Sequence, residues 1–181
     1  MFEWLIKFKR KYEKQLLIMA SLIFAALLYT RIKAEENTWN MEQHNINTLH
    51  NINTGAAKAI TEKGVKLAGE RKLNLAIAVV DRSGALLSFI KMDAAAPVTV
   101  EVAIGKAKSA VQLQAPTKIF EDFVNNGQPA MATTPGILPL QGGIPIYYGQ
   151  EIVGAVGVSG SSGQTDNEVA SLLADYLNKK N

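Results

Sequence analysis

The chain has 181 residues, 48% of them hydrophobic, and no cysteine. That is enough for one packed domain plus an appendage, and it rules out disulfides, thiolate metal sites, iron–sulfur clusters and cysteine nucleophiles. The formal charge of +3 is unevenly placed: residues 1–34 hold seven Lys/Arg and two Glu, leaving twelve of the 19 basic and fourteen of the 16 acidic residues to the rest, about −2. No basic run with interleaved aromatics follows Lys33, which excludes a nucleic-acid patch.

Residues 2–14 are basic, 15–30 are apolar (QLLIMASLIFAALLYT), and Arg31-Ile-Lys-Ala34 leads into polar Glu35-Glu36-Asn37. This is a signal-sequence layout, with a small residue at a cleavage point after Ala34. A helix over residues 15–30 reaches only about 24 Å, short of a hydrocarbon core of about 30 Å. Snorkelling by Lys14 and Arg31 keeps an uncleaved inner-membrane anchor open, but the layout favours export. Positive charge ahead of the apolar run holds the N-terminus inside, so the domain is expected in the periplasm or another extracytoplasmic space either way. Residues 35–45 read as a polar linker and 46–181 as the domain.

Within the domain, apolar spacing from Ile46 to Leu67 predicts a helix, with Gly69 as its stop. Residues 75–80 (LAIAVV) predict a buried strand, Asp81-Arg82-Ser83-Gly84 a type I turn, and 86–92 the returning strand. Thr99 is expected to cap a helix running through Gln114, whose buried stripe is Ala103, Ala107, Ala110 and Val111. Pro116 ends it, and a shorter helix with Ile119, Phe120 and Phe123 follows. Residues 130–135 read as a short edge strand blunted by Pro135. The segment GGIPIYYGQEIVGAVGVSG from Gly142 organises the rest: strand 144–148, a Gly149-Gln150 turn of type II′, and strand 151–159. Strict alternation would put Ile152, Gly154, Val156 and Val158 on one face and Val153, Ala155 and Gly157 on the other. A strand apolar on both faces is central, and its glycines mark a close approach, here of the alanine-striped helix. The last helix is expected from Asp166 to Lys179, capped by Thr165 with Glu168 completing a capping box. Hairpins joined by helices imply an α+β fold on an antiparallel sheet.

The ordered blocks V-V-D-R-S-G at Val79, K-M-D at Lys91, G-K-A-K-S-A at Gly105, P-T at Pro116, V-N-N-G-Q at Val124, T-T-P at Thr133 and G-G-I-P-I at Gly142 resemble the GlcG/HbpS-like family. That family is often labelled a haem-degrading or haem-binding domain, and the resemblance covers residues 46–177. It implies a profilin-like sandwich of about five strands, binding of haem or a related tetrapyrrole, and homo-oligomers. Other members resemble a protein of glycolate utilisation, so an accessory protein or enzyme of small hydroxy-acid metabolism is the alternative.

The residues themselves offer little catalytic chemistry. No nucleophile elbow, P-loop or dinucleotide fingerprint is present, and His44 and His50 are the only histidines, both near the linker. A binding protein is therefore favoured over an enzyme. Asp81 reads as a turn cap. Lys106 matches the family's motif and is read either as an anion-binding ammonium or as a solvated helix position; Ser109 takes the small hydroxyl position or bonds back to its own helix. Met131, Thr133 and Thr134 face the Gly142-Gly143 hinge and are read either as a ligand segment or as turn chemistry around Pro135. Haem needs an apolar slot, a basic residue and an axial donor; Met131, Tyr147, Tyr148 or a threonine hydroxyl are the axial candidates, while His44 or His50 would be better ligands chemically but lie near the linker. No metal ligand set is legible.

Overall fold

A computed structural model describes residues 2–44 and 48–176. The chain divides into two compact units on either side of Leu49 and His50.

The first unit is one helix, α1, Phe2–His44. Residues 35–44, whose polar composition suggests a linker, continue it; Asn45 lies outside the described residues. No glycine or proline interrupts residues 2–44, and Arg31–Glu35 (3.9 Å) and Lys33–Glu36 (3.2 Å) pair one turn apart across the expected linker boundary. Residues Leu17–Glu36 are long and apolar enough to cross a membrane by length and composition, about 30 Å of helix.

The second unit begins extended. The Ile52 N–H donates to the Val153 carbonyl (2.9 Å), and its side chain is buried. Helix α2, Thr54–Glu70, starts later than the apolar spacing predicts, because the Asn53 side chain caps it by accepting from the Ala56 N–H (2.9 Å). It runs past Gly69; Lys72, at φ 55°, takes the left-handed position instead.

Strands β1 (Ala76–Asp81) and β2 (Leu86–Lys91) form the first hairpin. Helix α3, Thr99–Leu113, follows; Thr99 lies inside it and donates its hydroxyl to the Ala96 carbonyl rather than capping. Helix α4 is Lys118–Asn125. The expected edge strand at 130–135 is a 3₁₀ helix, Pro129–Thr133. The Thr133 and Thr134 hydroxyls donate to the Ala130 and Met131 carbonyls (2.8 and 2.9 Å), and such local bonds compete with a ladder. Among the described residues the sheet therefore has four strands, not five.

Strands β3 (Gly143–Tyr148) and β4 (Glu151–Ser159) form the second hairpin, with Gly149 at φ 60° in its turn. The sheet order is β2-β1-β4-β3, every neighbouring pair antiparallel, so β4 is central as its two apolar faces predict. A bulge at Val153 breaks strict alternation: Ile146 pairs with Gly154 but Tyr147 pairs with Ile152. Ile152 and Ala155 consequently join Ala76, Ala78 and Val80 under the α3 stripe of Ala103, Ala107 and Ala110. Val153, Val156 and Val158 face the other layer, with Ile60, Ile77, Val79, Val169 and Leu173.

The predicted close approach is real at Gly157, where a Cβ would collide with the Ala103 carbonyl and the Ala107 backbone. Gly154 serves the opposite face, where a Cβ would lie 2.7 Å from Ile52 Cγ2. Helix α5, Gly163–Ala174, starts at Ser162, whose hydroxyl accepts from the Thr165 N–H (3.2 Å); the cap is three residues earlier than expected. Leu177 and Lys179 lie outside the described residues. The layers are α3, sheet, then α2 with α5.

Candidate functional site

Lys106 projects from the alanine stripe of α3 into the interior. Its Nζ donates to the Val158 carbonyl and to Asp166 Oδ2, both at 2.9 Å, and the two side chains are 4% and 3% exposed. Asp166 Oδ1 accepts from the Ser161 N–H (3.0 Å). Neither expectation for Lys106 survives: the ammonium is not solvated, and a buried carboxylate already occupies it. Gly142 closes over the pair at φ 115°, where a Cβ would lie 3.0 Å from Nζ and 2.9 Å from the Val158 carbonyl. Gly143 is equally confined, between the Lys106 carbonyl and the Thr117 methyl. Thr117 fastens this corner by donating to the Leu140 carbonyl (2.7 Å) and accepting from the Gly143 N–H (3.0 Å). The hinge is thus a structural knot. Asp166 as the lysine's partner is not read from the sequence; Lys106 falling on the Ala103–Ala107–Ala110 stripe was the signal, since a lysine facing inward requires an acid.

Ser109 is also internal. Its hydroxyl accepts from the Leu138 N–H (2.8 Å), tying the segment before the hinge to α3, and does not bond back to its own helix.

Met131 and Thr133 on the 3₁₀ helix and Thr134 just after it do come together, beside α4. This corner is open. No residue of α4 is buried although its apolar residues share one side, and Ile119 is 43% exposed. Phe120 and Phe123 stand edge to face with centroids 5.8 Å apart. Lys118, at the start of α4, is exposed and pairs with Asp122 (2.7 Å).

Tyr147 lies elsewhere, in a cleft of about 390 Å³ where β4 begins, lined also by Arg82, Gln114 and Glu151. His50 is drawn here, which its place near the linker does not suggest. Its Nδ1 lies 3.0 Å from Glu151 Oε2, and its ring stacks at a tilt on Tyr148. The hydrogen bond from His50, with its positive field and that of Arg82, holds Glu151 below the usual carboxylate range. Among the described residues no cluster of three or more His, Asp or Glu is able to hold a metal.

Comparison with known proteins decides the ancestry of this arrangement. The profile described as haem degrading protein HbpS-like matches residues 52–174. The chain belongs to the HbpS-like family. Protein GlcG of Escherichia coli K12 is 39% identical over 103 residues, covering 57% of this chain and 77% of GlcG. Protein ORFY of Klebsiella pneumoniae superposes with a TM-score of 0.69 at 28% identity, covering 72% of this chain and 92% of ORFY. A double mutant of Streptomyces reticuli HbpS superposes at 0.68 with 30% identity, covering 74% and 91%. A haem complex of PduOC shares the fold, at 0.64 and 22% identity.

Proposed function

We propose that this HbpS-like chain is an exported small-molecule-binding domain that takes haem or a related tetrapyrrole on the open corner formed by α4 and the 3₁₀ helix. The carrying observation is an apolar helix side left half-covered beside Met131, Thr133 and Thr134, in a chain of a family described by haem degradation. The donor set fits the group. Phe120 and Phe123 supply apolar contact, Lys118 a cation for a propionate, and the Met131 thioether or a threonine hydroxyl an axial donor. Bound haem would supply redox-active iron. Phe120 and Phe123 would form its apolar bed and Lys118 would hold a carboxylate. Lys106, Ser109, Gly142 and Gly143 support this corner from behind, since Glu121 of α4 accepts from both the backbone and side-chain amides of Gln141 beside the hinge.

Adding haemin to the full-length chain is expected to shift the Soret band at micromolar protein. The shift should shrink in Met131→Leu and in the double variant Thr133→Val, Thr134→Val. An unchanged spectrum, or one indifferent to all three substitutions, rejects this site.

Homo-oligomerisation belongs to the same reading. Strand β4 is internal, so the sheet edges are β2 and β3, each paired on one side only among the described residues; β2 leaves Leu86 45% exposed. Leu86→Lys is expected to lower the mass measured by light scattering.

A further inference from the structure

We infer that the cleft at the start of β4 is a second binding site, for a small carboxylate bearing a hydrogen-bond donor on the neighbouring carbon: an amino acid or a hydroxy acid. Its volume of about 390 Å³ lies within the ordinary range of small-molecule sites, about 300–1,000 Å³. Two backbone irregularities converge on it. The bulge at Val153 turns Ile152 onto the face that carries Tyr147 and the end of α3, and bulges commonly re-aim side chains beside sites. Gln114 closes the other wall in the left-handed region at φ 52°, which a residue with a Cβ enters at a cost.

The charges are arranged for a ligand with two unlike ends. Arg82 is fixed in place: its backbone N–H donates to Asn51 Oδ1 (2.9 Å) and its Nη1 to the Ile152 carbonyl (3.0 Å). Its nearest carboxylate, Glu151, stands off at 3.9 Å and takes its hydrogen bonds from His50 instead. The guanidinium thus keeps N–H groups suited to a carboxylate fork. Glu151 repels a bare carboxylate, but accepts a hydroxyl or ammonium presented beside it through Oε1, for which no partner appears among the described residues. The Tyr147 hydroxyl completes the contacts.

This site is separate from the proposed haem corner, so the two fail independently. Calorimetric titration of the full-length chain with alanine, lactate and propionate tests it. Alanine or lactate should bind saturably, with propionate at least about tenfold weaker because Glu151 then meets no donor. Tighter alanine assigns the donor as ammonium, and tighter lactate as hydroxyl. Arg82→Lys keeps the charge but loses the fork, and should weaken binding about tenfold or more. Should that variant unfold, Tyr147→Phe removes only the hydroxyl of an exposed residue and should weaken binding about threefold. The Met131 and threonine variants should leave acid binding unchanged. No saturable binding of either acid, equal binding of propionate, or wild-type affinity in a folded Arg82→Lys or in Tyr147→Phe overturns the proposal.

Discussion

A lysine and an aspartate enclosed together are costly to desolvate, and the pair is tolerated because each charge has more than one partner. Lys106 has Asp166 and the Val158 carbonyl; Asp166 has Lys106 and the Ser161 N–H. Removing one member strands the other. Lys106→Met and Asp166→Asn are each expected to destabilise the domain by about 3–5 kcal/mol, roughly 10–20 °C in melting temperature. The double variant Lys106→Met, Asp166→Asn should lose clearly less than the sum, which chemical denaturation of all four proteins would measure. Asp81 makes the converse case at the surface. Burial pushes its pKa up, but the Ser83 hydroxyl and the Ala85 and Ser83 N–H groups outweigh that and leave it below the ordinary 3.8. A carboxyl depressed in the folded state contributes stability above its unfolded pKa and loses it as pH falls through the folded value. The stability gap between wild type and Asp81→Asn should therefore be flat near neutrality and narrow below about pH 4; a gap independent of pH across that window would contradict the turn geometry.

At the scale of elements, the second hairpin and α3 define each other. Gly157 leaves no gap between β4 and the helix, so Gly157→Val forces the Ala103–Ala107 backbone outward. Overpacking against backbone should cost at least about 1–3 kcal/mol, read as a lowered denaturation midpoint, while Gly69→Ala, with nothing near its Cβ, should be neutral or better. This contact was legible in the sequence because small residues on a helix stripe and glycines in an apolar strand are complementary signals. Other features were not. The Val153 bulge has no residue signature, and by reversing Ile152 and Val153 it creates the cleft wall. The edge strand at 130–135 failed because threonine favours strands on average but here bonds back to its own turn. Lys106 was singled out correctly as unusual, yet its partner lies 60 residues away, beyond any local pattern. Met131, Thr133 and Thr134 share one short turn held by the threonine hydroxyls, whereas Tyr147 lines a different cleft.

The whole molecule joins two parts of opposite charge. Residues 1–34 carry seven bases and two acids, and the remainder about −2, so the basic pI of about 9.0 is a property of the N-terminal segment. Removal of that segment would change the protein's electrostatic character as well as its size. Export with cleavage after Ala34 leaves an acidic product that begins at Glu35. Retention leaves a basic chain with one apolar helix, Leu17–Glu36, held in the membrane. The unbroken helix through residues 31–44 and the Ile32-Lys33 pair ahead of Ala34 work against cleavage; the short apolar run and the small residue at the end work for it. In either of these outcomes the positive-inside rule predicts that the basic flank stays inside, with both proposed sites on the extracytoplasmic side. Intact mass and isoelectric focusing of the native protein separate the two fates: an acidic, soluble species lacking residues 1–34 is expected from a periplasmic extract. A full-mass basic species in the membrane fraction would establish the anchor instead, and full-mass protein in the cytoplasm would remove the argument for export.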